Sequence, residues 1–318
     1  MVKQIVKIVI CGVLALALTA ALAGLLLVNA VGGRLELGDV TIDLWQDDGD
    51  YTVGDGEINA DGIKRIEVQW TAGSVTLRPY DGKTIRLTEP QGLAENERLR
   101  WRLDGGTLRI RTCRSRLFGL GKTTDKPLEI LIPDALLGET GSAAKLESLS
   151  LETVSADIHV SLEGYALSSC KLLTVSGGID ASRYRIDTMN AESVSGSVRL
   201  SDCANETLTL ETVSGEVSFG GAVAVRQRLS FESVSGTLSG ALSAAPNQLN
   251  CDTTSGDITL AFPSSVGFAA ELSSVSGDLR TENFTDVTQT GKNSVLVGSG
   301  EAKFRFDSVS GSVRLRGE

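Results

Sequence analysis

Few residues of this 318-residue chain have the types and spacing that catalysis requires. His159 is the only histidine, so a Ser-His-Asp or Cys-His nucleophile could be built only around it, and a metal site with several histidines is excluded. No serine lies in a G-x-S-x-G elbow. The stretch FGLGKTT, residues 118–124, lacks the first glycine of a phosphate-binding loop because Arg116 stands at that place. We therefore expect a non-catalytic protein without a cofactor.

One short motif, [ST]-[VT]-S-[GA]-x-[VIL], recurs from TVSADI at residue 153 to SVSGSV at residue 308. Successive motif serines from Ser155 to Ser276 are 21, 19, 19, 21, 20 and 21 residues apart, and the last step, to Ser310, is 34. A serine that repeats in every unit indicates a structural role. The repeat residues are Ser155, Ser176, Gly177, Ser195, Gly196, Ser214, Gly215, Ser235, Gly236, Ser255, Gly256, Ser276, Gly277, Ser310 and Gly311.

The repeat period predicts the fold. A period of about 20 residues combined with β alternation is typical of a solenoid, in which each unit buries its apolar side against its neighbours. The composition, rich in Gly, Ser, Thr, Val and Leu, also favours strands. We expect an all-β fold: a single-strand parallel β-solenoid, similar to a β-helix and right-handed, preceded by one N-terminal transmembrane helix. An antiparallel sandwich of hairpins is the alternative.

The alternation changes phase inside each unit. In LTLETVSGEVSF, Leu208 and Leu210 share one parity with Thr212, whereas Val213, Val217 and Phe219 share the other. A straight strand would turn one set towards water, so we expect a bend or bulge here. The following glycine is needed either because a Cβ would crowd the bend or because φ must be positive.

Acidic residues precede the motif in four consecutive repeats: Glu192, Glu211, Glu232 and Asp252. Stacked coils would place them in one column, where neighbouring carboxylates repel each other by up to about 1 kcal/mol in water-like surroundings. We therefore expect these carboxylates to face solvent. They form either a charged face that keeps the domain soluble or a weak candidate site for a metal ion or a polycation.

Charge and cysteine content bound the partners. With 30 Lys and Arg against 40 Asp and Glu, the net charge is −10, which disfavours nucleic acid as a partner. Arg109, Arg111, Arg114, Arg116 and Lys122 form a basic cluster that could touch an anionic lipid or polymer. Cys113, Cys170, Cys203 and Cys251 could form two disulfides in an exported domain, but their wide spacing favours isolated buried thiols.

Residues 8–28 are almost free of polar side chains and are long enough to cross a bilayer as a helix. Lys3 and Lys7 precede this segment and acidic residues follow it, so the N-terminus should be cytoplasmic and the rest extracytoplasmic. Val28-Asn29-Ala30 also resembles a cleavage site, which leaves a cleaved signal peptide as the alternative to a signal anchor. Both interpretations export the domain.

These features divide the chain into four parts. Residues 1–31 are the cytoplasmic stub and transmembrane signal anchor, and residues 32–61 are an acidic juxtamembrane spacer. Residues 62–145 form the β-rich N-terminal part of the exported domain, and residues 146–318 form the repeat solenoid.

The order of these motifs resembles the bacterial putative-adhesin family of β-strand-repeat domains. The similarity begins at IKRIEVQWTAGSVTLRPYDG, residues 63–82, and continues through LRWRLDGGTLRIR, PLEILIP and the SVSG repeats. Ala156, in place of the motif glycine, and Gly178, where a polar residue is usual, depart from the pattern. The resemblance implies a membrane-tethered, envelope-exposed β-solenoid and no catalytic residues.

The function expected from the sequence is a membrane-anchored, extracytoplasmic binding or structural module that contacts a surface polymer or an envelope protein. A signalling accessory subunit that senses envelope stress is the alternative, with its signal passing through the bilayer helix. An enzyme acting on polysaccharide is disfavoured, because its chemistry needs one local acid/base cluster whereas polar residues here recur unit after unit.

Overall fold

A computed structural model describes residues 34–37, 40–43, 50–112, 126–139 and 144–318. These ranges contain strands and 3-10 turns (Glu95–Glu97 and Asp134–Leu136) but no α-helix, which confirms the all-β prediction. The strands are β1 Arg34–Leu37, β2 Val40–Asp43, β3 Thr52–Val53, β4 Gly56–Asn59, β5 Arg65–Trp70, β6 Ser74–Tyr80, β7 Thr84–Thr88, β8 Arg100–Asp104, β9 Thr107–Arg111, β10 Leu128–Pro133, β11 Ser148–Thr153, β12 Asp157–Ser161, β13 Ala166–Thr174, β14 Ile179–Ser182, β15 Arg185–Ser193, β16 Val198–Thr212, β17 Val217–Ser233, β18 Leu238–Ala241, β19 Gln248–Thr253, β20 Ile258–Phe262, β21 Phe268–Ser274, β22 Leu279–Glu282, β23 Val287–Gly291, β24 Ser294–Val297, β25 Ala302–Ser308 and β26 Val313–Gly317.

Strands before and after the motif form two series of parallel neighbours. Run A, which precedes the motif, has the order β9, β5, β11, β13, β15, the second half of β16, the second half of β17, β19, β25 and β21. Run B, which follows the motif, has the order β10, β6, β12, β14, the first half of β16, the first half of β17, β18, β20, β26 and β22. We call one strand of run A, the corner after it and the next strand of run B a coil.

The phase change in the sequence coincides with this corner. β16 ends at Thr212 and β17 begins at Val217, so the residues between them turn the chain from run A into run B. Apolar side chains of both strands then point inward, as Leu210 and Val217 do, and both are fully buried. The bend expected from the alternation is therefore present.

The pairing is mixed, so a single-strand parallel solenoid is not the whole architecture. Antiparallel strands β8 and β3 extend run A at one end, and β24 and β23 extend it at the other. At the β10 end, β7 and β4 extend run B in the same way. These strands satisfy backbone groups that an open edge would expose, a need that the internal repeat does not encode.

Two coils lie out of chain order. The coil of β5 and β6 lies between the coil of β9 and β10 and the coil of β11 and β12. At the other end, β25 and β26 lie between the coil of β19 and β20 and the coil of β21 and β22. The last residues of the chain thus form the layer between β19–β20 and β21–β22, which residues 263–301 leave open.

The domain begins earlier than the predicted boundary at residue 62. Part of the stretch assigned to an acidic spacer forms β3 and β4, which pair with β8 and β7, and Ile58 is buried in the core. These strands have only two and four residues, too short for a clear alternation in the sequence. Parallel pairing of β5 with β11 joins the two predicted parts, 62–145 and 146–318, in one sheet.

One apolar core runs between runs A and B through all coils. Near the C-terminal end it is aromatic: the ring of Phe268 stacks on that of Phe304 with centroids 4.7 Å apart, and Phe284 meets Phe268 edge-on. The predicted membrane segment, residues 8–28, lies outside the described residues, and within them no helix is long and apolar enough to cross a bilayer.

Candidate functional site

The corner motif is held by two sets of hydroxyl groups. Thr174 and Thr212, the first residues of their motifs, are buried, and their hydroxyl oxygens accept a hydrogen bond from the backbone N–H of the motif glycine three residues later. The distances for Gly177 and Gly215 are 3.0 and 2.8 Å. This bond satisfies a buried donor where the strand ends. The same bond joins Gly236, Gly256, Gly277 and Gly311 to the residues Ser233, Thr253, Ser274 and Ser308.

The second set consists of the motif serines, which are exposed. The hydroxyl of Ser195 donates to the carbonyl oxygen of Val175 in the preceding coil at 3.3 Å, and Ser155 donates to Thr71 at 3.0 Å. Equivalent bonds of 3.4 Å are made by Ser176, Ser214, Ser235, Ser255 and Ser276. Each of these seven serines therefore ties its corner to the neighbouring one, which is a structural use of the hydroxyl group.

The motif glycines form a glycine row along the corner. None of them has a positive φ. A Cβ on Gly196 or Gly215 would overlap the carbonyl oxygen of the motif glycine in the neighbouring coil. The sequence left two reasons for the motif glycine open, a crowded Cβ or a positive φ. Close approach of the backbone, which leaves no room for a Cβ, is the one that applies. The two residues that depart from the motif pattern lie at the start of the glycine row. Ala156 is buried, and Gly178 donates its N–H to Asp157 Oδ1 at 2.7 Å.

The four acidic residues lie side by side in run A. Glu192, Glu211, Glu232 and Asp252 are register partners in consecutive strands, and Asp307 of β25 is the next partner after Asp252. We call these five residues the acidic column. Asp307 also directly precedes its motif, at Ser308. Its place beside Asp252 could not be predicted, because it belongs to the coil that lies out of chain order.

The expectation that the whole acidic column faces solvent is wrong for its first member. Glu192 is only 7% exposed. Its carboxylate accepts a hydrogen bond of 2.7 Å from Asn190 Nδ2 and lies 3.7 Å from Lys171 Nζ. These partners offset the cost of removing the charge from water. Its neighbour on the other side in the register is Leu173, which is also buried.

Glu211, in contrast, is half-buried between two carboxylates. Burial is the main cause that raises its pKa to about 7, followed by repulsion from Glu192 and Glu232, while Lys171 opposes the shift. The acidic column therefore holds a proton near neutral pH, because adjacent buried carboxylates resist ionising together.

The opposite side of the corner is less regular. Asp157, Ser197, Glu216, Thr237 and Asp257 occupy equivalent places after the motif and are exposed. No group of three or more His, Cys, Asp or Glu side chains in the described part of the chain is arranged to hold a metal ion. The metal form of the candidate site thus gains no support from the geometry.

The remaining candidates for chemistry are separated from one another. His159 is exposed on β12, between Thr76 and Asp180 in the register. Cys170, Cys203 and Cys251 are buried free thiols, as the spacing favoured. Burial raises the pKa of Cys170 to about 12 and that of Cys203 to about 11, so both are protonated and unreactive at neutral pH. Cys113 lies outside the described residues.

The predicted basic cluster is only partly described. Arg109 Nε donates to Glu67 at 3.0 Å, and the guanidinium of Arg111 stacks on the ring of Tyr51. Arg114, Arg116 and Lys122 lie outside the described residues. The structure adds Arg100 and Arg102, which face Arg111 and Arg109 across the β8–β9 pair. Their place beside these residues could not be inferred from the sequence because the antiparallel strand that carries them has no counterpart in the repeat.

No curated protein is recognisably similar to the chain. Similar solved structures include a putative adhesin from Bacteroides fragilis NCTC 9343 (12% identity, 84% of this chain, 97% of that chain, TM-score 0.48) and a putative cell adhesion protein from Clostridium sporogenes ATCC 15579 (11%, 84%, 100%, 0.27). Another is a putative lipid binding protein from Parabacteroides distasonis ATCC 8503 (16%, 83%, 97%, 0.48).

A family model matches the chain from Ile63 through all the coils, which confirms the resemblance seen in the sequence. The match spans residues 63–316, from the first parallel strand to the last. The chain therefore belongs to the Toastrack DUF4097 family.

Proposed function

We propose that this chain is an adhesin-like, membrane-tethered module that binds a surface polymer or an envelope protein outside the cytoplasm. The observation that supports this proposal most is the repetition of polar side chains at the same position in coil after coil. Asn190, Thr209, Ser230 and Asn250 are one such series on the outer side of run A, and the acidic column is the next. A repeated polar surface suits a repetitive or extended partner rather than one small substrate.

The central coils act in this proposal as a parallel β-solenoid that serves as a rigid support. In-register strands of neighbouring coils lie about 4.8 Å apart, so the polar series advance in regular steps. The corner hydrogen bonds and the glycine row keep successive corners aligned. A non-catalytic role fits this arrangement, because the corner serines bond to backbone carbonyl groups and the buried thiols are protonated.

The tether is the second part of the proposal and rests on residues 8–28. Ser255 is exposed, whereas Cys170, Cys203 and Cys251 are buried. In intact cells, the Ser255→Cys variant should therefore react with a maleimide that does not cross membranes, more strongly than the parent chain does. Labelling of the variant only after the cells are lysed would place the domain in the cytoplasm and contradict the proposal.

The role of the acidic column in cell attachment is tested at two of its half-buried members, Glu232 and Asp252. A chain with Glu232→Gln and Asp252→Asn keeps side-chain size and removes two neighbouring charges. If this face binds the partner, cells that carry the variant should attach to a washed layer of the same cells at least several-fold less than cells with the parent chain. Thermal unfolding of the purified chain checks that the fold is kept.

A matched control removes two exposed acidic charges elsewhere. Asp180 lies on β14 of run B and Asp187 lies on β15 away from the column. Asp180→Asn with Asp187→Asn should leave attachment unchanged, although the net charge changes by the same amount. Equal attachment by all three chains would exclude this face as the binding surface.

A further inference from the structure

Arginine side chains gather at the end of run A formed by β8 and β9. Arg100 is the register partner of Arg111 and Arg102 that of Arg109, so two pairs of like charges lie directly across from each other. Such pairs destabilise a sheet unless an opposite charge lies between or beside them. The protein as a whole carries a net charge of −10, which makes this local excess of positive charge more unusual.

Two carboxylates of the described residues, those of Glu67 and Asp104, form ion pairs with the cluster. Glu67 and Asp104 lie 3.0 and 3.5 Å from Arg109, and Asp104 is 3.9 Å from Arg102. Glu67 and Asp104 therefore both lie closest to Arg109. Arg100 has no ion pair within the part of the chain that the structure describes.

Tyr51 fixes two of these guanidinium groups. The guanidinium carbon of Arg111 lies 3.9 Å from the centre of the Tyr51 ring, and that of Arg102 lies 4.9 Å from it. Stacking on an aromatic face holds a guanidinium group while leaving its edge donors available. The cluster is thus ordered before any ligand arrives.

Two donors of the cluster are buried without a partner. Arg100 Nη1 and Arg102 Nε are shielded from solvent and make no hydrogen bond. Unpaired donors of a charged group are costly in a buried place. Such a cost indicates that a group which binds there supplies both the acceptor atoms and the negative charge.

We propose that Arg100, Arg102 and the Tyr51-stacked Arg111 form a binding site for a phosphate group. Planar guanidinium forks bind phosphate oxygens through paired hydrogen bonds, and a phosphate with more than one negative charge suits several arginines better than a single carboxylate does. The phosphate is either a free anion or the headgroup of an anionic lipid. Tyr51 is the residue of this site that lies nearest in sequence to residues 8–28, and it brings the site close to a headgroup if that segment is a membrane anchor.

The first test measures thermal unfolding of the full chain in a nonionic detergent, with inorganic phosphate exchanged for chloride at constant ionic strength. A ligand that binds the folded state raises the unfolding temperature in a saturable way. The parent chain should show this rise. Arg100→Gln should need at least ten times more phosphate for the same effect, and Arg100→Lys, which keeps the charge but loses the fork, should also bind more weakly.

Arg199→Gln is the control, because Arg199 is an exposed arginine on β16, far from this end of run A. It should respond to phosphate as the parent chain does. The proposal is overturned if phosphate gives no saturable rise in the parent chain, or if the Arg100 variants respond like the parent.

A second experiment distinguishes the two sources of phosphate. The full chain is placed in vesicles of phosphatidylcholine alone or with phosphatidylglycerol, again without phosphate in the buffer. If the headgroup of the anionic lipid occupies the site, phosphatidylglycerol should raise the unfolding temperature and added phosphate should have little further effect. If added phosphate keeps its full effect in both vesicles, the ligand is the free anion.

Discussion

At the corner, the absence of a Cβ determines how closely two coils approach. Gly215→Ala should destabilise the protein by about 2 to 3 kcal/mol, because the new methyl group would overlap the carbonyl oxygen of Gly196. Gly220→Ala is the matched control, since its nearest neighbour would be Ser201 Cβ at 3.5 Å, an ordinary contact. Chemical denaturation of both variants measures the difference. Equal stability of the two variants would show that the corner has room for a side chain.

Glu211 makes stability depend on pH in a defined direction. Its pKa is about 7 in the folded protein against an ordinary value of 4.5. The folded state therefore binds the extra proton between these values, and stability falls as pH rises through this window. Glu211→Gln removes that loss and should stabilise the protein at pH 8 by about 1 to 2 kcal/mol, after allowance for solvent screening of a half-buried group.

The advantage of Glu211→Gln should disappear below about pH 4.5, where both the folded and the unfolded carboxyl are protonated. Urea unfolding at several pH values measures this dependence. Glu216→Gln, an exposed position beyond the same corner, serves as the control and should change stability by less than about 0.5 kcal/mol. A Glu211→Gln variant that is no more stable at pH 8 would contradict the burial of this carboxylate.

At the residue scale, the sequence predicted the positions of the motif but only part of its chemistry. The spacing of Ser195 and Gly196 was visible, yet the buried hydroxyl of Ser193 and its partners depend on the geometry of the turn. Burial of Glu192 also could not be predicted, because it depends on Asn190 and Lys171, whose side chains meet the carboxylate only after the coils stack.

Among the elements, β25 lies between β19 and β21 although it follows both in the chain. Phe306 on this strand is 1% exposed and has Cys251 and Leu272 as its register partners. Phe306→Ala should therefore destabilise the protein by about 3 to 5 kcal/mol by leaving a cavity in the core.

Arg305→Ala, the exposed neighbour on the same strand, tests whether the effect belongs to core packing. It should alter the free energy of unfolding by less than about 0.5 kcal/mol. Thermal or urea unfolding of the two variants gives the comparison. A small effect of Phe306→Ala would mean that β25 does not fill the layer between its two neighbours.

At the element scale, the repeat period was enough to predict parallel neighbours for strands such as β13, β15 and β16. It could not predict the antiparallel strands at the ends, because β4, β7 and β8 belong to no repeat. The step of 34 residues before Ser310 indicated an interruption. Where the last unit would insert was not encoded in the spacing, since any open edge of run A could accept it.

For the whole molecule, the β-favouring composition and the motif order were sufficient to predict an all-β fold and the family. The tether and the partner remain proposals, because residues 8–28 lie outside the described residues and the polar faces carry no ligand-specific pattern. The arginines around Tyr51 are the surface group that we propose to bind phosphate, and they lie at the end of the stack opposite to β21.

The order of the coils is tested most directly by disulfide formation between corner serines. Ser255 and Ser310 occupy equivalent places in the corners of neighbouring coils, and in-register parallel neighbours about 4.8 Å apart are close enough for a disulfide. Ser255→Cys with Ser310→Cys should therefore cross-link under mild oxidation. Ser255→Cys with Ser276→Cys should not, although these residues are closer in sequence, because the last coil separates them. Cross-linking of 255 to 276 and not to 310 would contradict the stacking order.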